Sequence, residues 1–153
     1  MIALIQRVLE ASVTVDSQFI NSIGEGLLVL LSIRNDDTEQ EAEYLAAKTV
    51  NLRIFNDENA KMNRSLIDTG TEMLVISQFT LHADTRHGNR PSFTDAGEPT
   101  RAEELYKYYI QLCKKYLPPG KVKDGIFAAM MKIKLVNDGP VTIILKSKNE
   151  YSK

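Results

Sequence analysis

The chain has 153 residues, of which 43% are hydrophobic and 25% charged, and its formal net charge is −1. These are ordinary globular values: they exclude disordered and fibrous classes and suit one domain burying roughly two-thirds of its unfolded surface. The near balance of acids and bases speaks against non-specific coating of nucleic acid, and no apolar run approaches the ~18 residues of a membrane span.

The opening MIALIQRVLEASVTV has no basic n-region, and Arg7 and Glu10 interrupt its apolar stretch, so it reads as strand and not as a signal peptide. Strands are expected over residues 2–8, 12–15, 19–23 and 26–33, with Gly24-Glu25-Gly26 as a turn. Thr38 and Glu41 form a capping-box pattern for a helix that carries Ala42, Leu45, Ala46 and Thr49 on one stripe and ends near Leu52. Arg53-Ile54-Phe55 suits a short strand before a polar turn. Residues 73–80 are strongly β-like, and the irregular stretch from His82 to Gly97 is long enough to suggest function. Pro99 should open a second helix, with Thr100 and Glu103 as caps and Leu105, Tyr109, Leu112 and Tyr116 as its apolar stripe. Leu117-Pro118-Pro119-Gly120 stops it. A strand over 127–136, a turn at Asn137-Asp138-Gly139-Pro140 and a return strand over 141–146 complete an α+β domain of residues 1–146. Residues 147–153 form a polar tail expected to fray.

The usual catalytic constellations are missing. There are two histidines, His82 and His87, without zinc-ligand spacing, and no phosphate-binding glycine loop or nucleophile elbow. No metal or cofactor is expected. Cys113, the sole cysteine, lies among apolar helix positions and reads as core; its solitude fits a reducing, cytoplasmic compartment. Asp36-Asp37 reads as dipole-favouring charge at a helix start. Basic residues gather at Arg86–Arg90 and in the last third of the chain, either as solvated faces or as a local patch.

Two segments invite a functional reading. In Ser77-Gln78-Phe79-Thr80 polar residues end an apolar run, and continued alternation would set Gln78 and Thr80 on one face; they bond either to neighbouring backbone or to a ligand. Asn137-Asp138-Gly139-Pro140 has the composition of a hairpin turn, and equally that of a rigid element presenting carbonyls without side-chain bulk. Alternation along residues 127–135 puts Phe127, Ala129, Met131, Ile133 and Leu135 on one side and Ala128, Met130, Lys132 and Lys134 on the other.

SQFTL and NDGPVT together resemble the two signature motifs of the D-aminoacyl-tRNA deacylase family. MIALIQRV, LRIFNDENAKMN, ADTRHGNRPSF and GIFAAMMKIKLVNDGP extend the resemblance from Met1 to about Leu145. It implies two packed β-sheets with helices on one side, a homodimer, and an active site at the subunit interface. Gly139 and Pro140 would form a cross-subunit Gly-cis-Pro element whose carbonyls capture the substrate amino group and exclude an L side chain. Ser77, Gln78, Phe79 and Thr80 would line the pocket beside the terminal adenosine, bordered by Phe127, Ala128, Ala129 and Met130. Arg7, on a strand apolar on both faces, would find acceptors in the Gly139-Pro140 carbonyls; the alternative is a surface arginine on an edge strand. The implied substrates are D-aminoacyl-tRNA and glycyl-tRNA mischarged on tRNA(Ala), with no membrane and no DNA. Thr80 has no evident base, and His82 is a weak candidate for one. The resemblance therefore favours substrate-assisted hydrolysis, in which the tRNA 2′-hydroxyl helps activate water and N–H groups near Phe79 and Thr80 hold the oxyanion. Two other readings stand beside it: a non-catalytic nucleic-acid-binding protein on the same scaffold, and a metal-free esterase of small acyl esters.

Overall fold

The structure, a computed structural model, describes residues 1–151. Strand β1 (Ile2–Val15) is a single run of 14 residues where two shorter strands were expected. Both of its edges are paired. On one side lie β2 (Gln18–Ile23) and β3 (Gly26–Ser32); on the other lies the 16-residue β8 (Met131–Lys146). Beyond β3 the sheet continues in parallel through β6 (Glu72–Ser77) to β7 (Val122–Asp124), six strands in all. The strands thus form one six-stranded sheet, with β4 (Phe55–Asn56) and β5 (Met62–Arg64) as a separate ribbon, in place of the expected pair of packed sheets. The sheet curls until its margins meet: Asn21 Nδ2 on β2 donates to Asp124 O on β7 at 2.7 Å, and Lys123 Nζ donates to Ser22 O at 2.7 Å.

A strand between two parallel or antiparallel neighbours, covered on both faces, should be apolar at every position. Gly26-Leu-Leu-Val-Leu-Leu-Ser32 is such a strand. Leu27, Val29 and Leu31 face the helices, while Leu28 joins Val8, Val13, Ile23, Leu74 and Ile76 in a second core inside the curl. Each of these large side chains contributes roughly 1.5–3 kcal/mol by leaving water.

The helices cover the outer face. Helix α1 (Glu39–Val50) begins with the expected Thr38/Glu41 capping box. Helix α3 (Pro99–Tyr116) is capped not by Thr100 and Glu103 but by Glu98, whose carboxylate accepts from Thr100 N–H and Arg101 N–H at 3.1 Å each. A third helix, α2 (Leu66–Thr69), is one turn long. Tyr106 is buried and donates to Val75 O at 2.8 Å, and Tyr109 donates to Thr49 Oγ1 at 2.8 Å, so each aromatic hydroxyl carried inside has a partner. Cys113 is fully buried in this layer, as its position among apolar residues suggested, and burial pushes its thiol up to about 12.

Two sequence expectations fail at the chain's C-terminal end. Residues 131–146 form one continuous strand along β1, not a hairpin. The tail does not fray over its described part: Ser147 is wholly buried and residues 148–151 form a 3-10 turn, while 152 and 153 lie outside the described residues.

Gly26 is the glycine with the least room beside it. Its φ is +158°, and a Cβ there would lie 1.9 Å from the backbone oxygen of Glu72. Gly26→Ala must therefore push β3 away from β6. It should destabilise the fold by more than about 2 kcal/mol in urea unfolding, against about 1 kcal/mol for Gly70→Ala, where φ of +63° disfavours a side chain but nothing lies within 4 Å of the added carbon.

Candidate active site

Strand β6 ends at Ser77, and the chain then turns. Gln78 N–H makes a last strand-like bond to Leu31 O at 2.8 Å, and residues 79–82 form a 3-10 turn. Continued alternation of Gln78 and Thr80 therefore does not hold. The turn's first internal hydrogen bonds run from Leu81 N–H to Gln78 O at 3.3 Å and from Ala83 N–H to Thr80 O at 3.1 Å. The N–H groups of Phe79 and Thr80, at the head of the turn, precede any such bond and have no partner inside the turn. Phe79 and Thr80 are exposed, Phe79 to 57%. Gln78 Nε2 donates to Thr80 Oγ1 at 2.6 Å, so the two polar side chains are tied to each other.

Phe93, from the irregular 83–98 loop, sets its ring edge-on to Phe79 with centroids 5.2 Å apart. The sequence hinted at it only through the loop's length and the stretch ADTRHGNRPSF. Arg86 in the same loop is gripped by Asp84 through two contacts of 2.9 and 2.7 Å, which hold the Asp84 carboxyl at about 2.

The 127–130 segment does come to Ser77, but as a turn and not as strand. Ala128 N–H donates to Ser77 Oγ at 3.4 Å, Ala128 has φ +59°, and the strand begins only at Met131. Met130 is 87% exposed, whereas the Phe127 ring packs on Tyr106 at 5.5 Å. The alternation expected beyond it is present from Met131 onward: Ile133 and Leu135 pack on the inner core, and Lys132 and Lys134 face out.

Gly139 and Pro140 lie elsewhere. Across the β1–β8 ladder Gln6 pairs with Thr142 and Val8 with Asn137, so residues 138–141 bulge out opposite the single residue Arg7. The Gly139-Pro140 peptide is cis and both residues are exposed. Asn137 closes the bulge, its Oδ1 accepting from Val141 N–H at 3.0 Å and its Nδ2 donating to Thr142 Oγ1 at 2.9 Å. Gly139 has φ +116°, and a Cβ on it would lie 2.8 Å from Val141 Cγ2 and 3.2 Å from Arg7 Nη2, so a side chain there competes with both. Arg7 is buried, 7% exposed, but its acceptors are not the expected Gly139-Pro140 carbonyls. Its Nη1 donates to Ile54 O at 2.6 Å, and its Nε sits 2.8 Å from Asp138 Oδ2 in an ion pair whose N–H does not point along the contact.

Within one chain these two motifs stay apart. Arg7 pairs with Leu27 on β3, and Ser77 pairs with Leu31, four residues farther along the same strand. At ~3.3 Å per residue that is about 13 Å along the strands, with three strand spacings also between β8 and β6.

His82 is turned away from Thr80. Its Nδ1 meets Ser32 Oγ at 2.6 Å and its Nε2 meets Glu150 Oε1 at 3.0 Å. Glu150 also lies 3.4 Å from the Met1 ammonium and 3.5 Å from Arg34 Nη1. Among the described residues no three His, Cys, Asp or Glu side chains gather in an arrangement that would hold a metal ion.

The molecule is thus a single-domain α/β protein with a polar, exposed turn at the end of a buried strand and a second exposed element that its own fold holds at a distance. A family model for D-Tyr-tRNA(Tyr) deacylase matches residues 4–146. A D-aminoacyl-tRNA deacylase of Koribacter versatilis (strain Ellin345) is 53% identical over 152 residues, covering 99% of this chain and all of that protein. One from Thermosipho africanus (strain TCF52B) is 48% identical over 151 residues, covering 99% and 100%. Among solved structures, one titled c-Myc DNA Unwinding Element Binding Protein superposes with a TM-score of 0.92 at 43% identity, covering 96% of this chain and 99% of that one. A probable eukaryotic D-amino acid tRNA deacylase shares the fold at a TM-score of 0.81 and 14% identity, covering 94% and 97%. The chain belongs to the D-Tyr-tRNA(Tyr) deacylase family.

The Glu150 carboxyl carries a pH consequence. Burial works to raise it, but the His82 hydrogen bond and the charges of the Met1 ammonium, His82 and Arg34 outweigh burial and hold it below the usual carboxylate range. A carboxyl lowered by folding adds stability above its unfolded value and loses that contribution as pH falls through the folded value. Thermal unfolding of Glu150→Gln across pH should therefore converge with the unaltered protein at pH 3 and fall below it at pH 6.

Proposed function

We propose that this chain hydrolyses the ester joining a D-amino acid, or glycine mischarged on tRNA(Ala), to the terminal ribose of tRNA, and that it does so in the cytoplasm as a homodimer. The observation that carries the reading is the separation of the two motifs. The Phe79-Thr80 turn and the Gly139-Pro140 bulge are both exposed, yet one chain cannot bring them together; a second copy can supply the bulge to the first copy's turn.

In such a site the Gly139 and Pro140 carbonyls accept from the substrate ammonium and fix the orientation of its α-carbon. An L side chain is then directed into the bulge, whereas hydrogen or a D side chain points away. Arg7 holds the bulge from beneath. Ser77, Gln78, Ala128, Ala129 and the exposed Met130 border the adenosine, with Phe127 as a backstop against Tyr106. Lys132 and Lys134 lie outside, towards the phosphates. Water adds to the ester carbon, with the ribose 2′-hydroxyl assisting, and the oxyanion is met by the Phe79 and Thr80 N–H groups; collapse expels the ribose 3′-oxygen and frees the D-amino acid. Orientation of this kind can supply roughly 7–11 kcal/mol of the barrier. Thr80 Oγ1 already accepts from Gln78, and His82 is engaged on the far side of the turn, so the side chains offer no base for a threonine nucleophile.

The name of the DNA-unwinding-element relative favours a second reading, nucleic-acid binding without chemistry. A net charge of −1 gives that reading little electrostatic support.

Purified protein should release D-Tyr from D-Tyr-tRNA and leave L-Tyr-tRNA intact, with or without a chelator. tRNA retention on a filter without any release would favour the binding reading. Thr80→Ala should keep most of the activity, whereas Thr80→Pro, which removes the N–H, should lose about 10²–10³-fold in kcat. A 10³-fold loss in a folded, substrate-binding Thr80→Ala protein would make the hydroxyl the nucleophile instead.

A further inference from the structure

Behind the Phe79-Thr80 turn lies a buried polar chain that hydrolysis as described does not use. Glu150 Oε1 meets His82 Nε2 at 3.0 Å, His82 Nδ1 meets Ser32 Oγ at 2.6 Å, and Ser32 Oγ donates to Phe79 O at 3.3 Å. Ser32 is 1% exposed and His82 9%, so neither can attack a substrate. Both sit at the ends of elements that define the site: Ser32 closes β3, and His82 closes the 3-10 turn.

The geometry points to a positioning role. The carbonyl of Phe79 and the N–H of Thr80 belong to one planar trans peptide, where they point in opposite directions. A donor fixed on Phe79 O from inside the fold therefore holds the Thr80 N–H outward, and draws electron density from that N–H as well. We propose that Ser32, His82 and Glu150 are positioning residues that orient the Phe79–Thr80 peptide for the reaction, with the C-terminal turn as the anchor of the chain. This rests on the reading of the Thr80 N–H as an oxyanion donor.

Counting hydrogens shows why the chain acts as a unit. Ser32 has one hydroxyl hydrogen and two candidates for it, Phe79 O and His82 Nδ1. With both ring nitrogens protonated, Nε2–H donates to Glu150, Nδ1–H donates to Ser32 Oγ, and the hydroxyl hydrogen is left for Phe79 O. With a single proton on Nε2, Nδ1 takes the hydroxyl hydrogen and the Phe79 carbonyl keeps only the backbone donor of its own turn; a single proton on Nδ1 would set the bare Nε2 against the Glu150 carboxylate, so Glu150 disfavours that tautomer. Glu150 is the counter-charge of the first state. The other charges around the imidazole are Arg34 and the Met1 ammonium, which flank Glu150, and Asp37, which pairs with that ammonium at 2.7 Å. Asp84, Arg86 and Asp95 line the cavity of about 280 Å³ that His82 shares with Arg34 and Glu150.

The test is steady-state hydrolysis of D-Tyr-tRNA by Ser32→Ala, Glu150→Gln and the double variant, each below its own melting temperature. Binding of a non-hydrolysable amide analogue of 3′-D-tyrosyl-adenosine is measured alongside. Each single variant should lower kcat roughly 10-fold while KM and analogue affinity stay within about twofold, since the peptide is needed for the oxyanion and not for the bound ester. The double variant should be no slower than the slower single one, because either change takes the same Ser32 donor from that carbonyl. Losses that multiply, losses carried by KM, or a Glu150→Gln protein with unaltered kcat would each overturn the relay. If Ser32→Ala does not fold, Glu150→Gln decides alone, by the same criterion. An unaltered protein inactive on D-Tyr-tRNA would overturn the proposed function itself, whereas an active one with unaffected variants overturns the relay only.

Discussion

Strand β1 is hydrogen-bonded on both edges along nearly its whole length, and the positions of both motifs follow from that double pairing. On one edge its first half fixes β3, which fixes β6 in parallel register and so decides where Ser77 ends the sheet. On the other edge it carries β8 from Met131 to Lys146, and the ladder tolerates residues 138–141 only by pushing them outward opposite Arg7. The buried arginine is what makes that excursion a fixed shape and not a slack loop. It is anchored on Ile54 O and paired with Asp138, and together with Val141 it crowds the space that a side chain at position 139 would need. An unpaired guanidinium in that place would be costly, so the bulge and the arginine stabilise each other.

Much of the fold was legible because local rules sufficed for it. The capping box at Thr38, the stop at Leu117-Pro118-Pro119, the burial of Cys113 and the two-faced apolar run of β3 all follow from residue type and spacing. What was hidden depended on partners far away in sequence. Asn137-Asp138-Gly139-Pro140 has the composition of a hairpin turn, and only β1, more than 120 residues earlier by number, shows that the chain does not reverse there. Alternation through Gln78 and Thr80 could not reveal where the ladder ends, because the end is set by the length of β3. The tail looked frayed since its residues are polar, yet Ser147 and Glu150 find partners in Met1 and His82, and Asn149 donates to Asp37. The motif residues themselves were visible through family resemblance; the residues that hold them in place, Ser32, Phe93 and Glu150, were not.

A site made of main-chain groups places unusual demands on its surroundings. Side-chain catalysts can be aimed by rotamers, but a carbonyl or N–H is aimed only by the backbone that carries it. Both proposed halves meet this demand with polar support: buried Arg7 and half-buried Asn137 at the bulge, and buried Ser32 and His82 under the turn. Such support explains why polar groups are kept in the interior of a small domain, where each must be partnered.

The most direct test of a site shared between two copies is complementation. Gly139→Val, whose side chain would collide with Val141 and Arg7 and block the bulge, and Thr80→Pro, which lacks the N–H, should each be nearly inactive alone. Unfolded together and refolded as mixed dimers, they should recover activity on D-Tyr-tRNA, since one of the two sites in each mixed dimer then has an intact turn and an intact bulge. Recovery approaching a quarter of the unaltered activity is expected if pairing is random and each mixed dimer regains one site of two. Mixed dimers, verified by mass, that stay as inactive as either parent would contradict the shared site and return both motifs to a single chain.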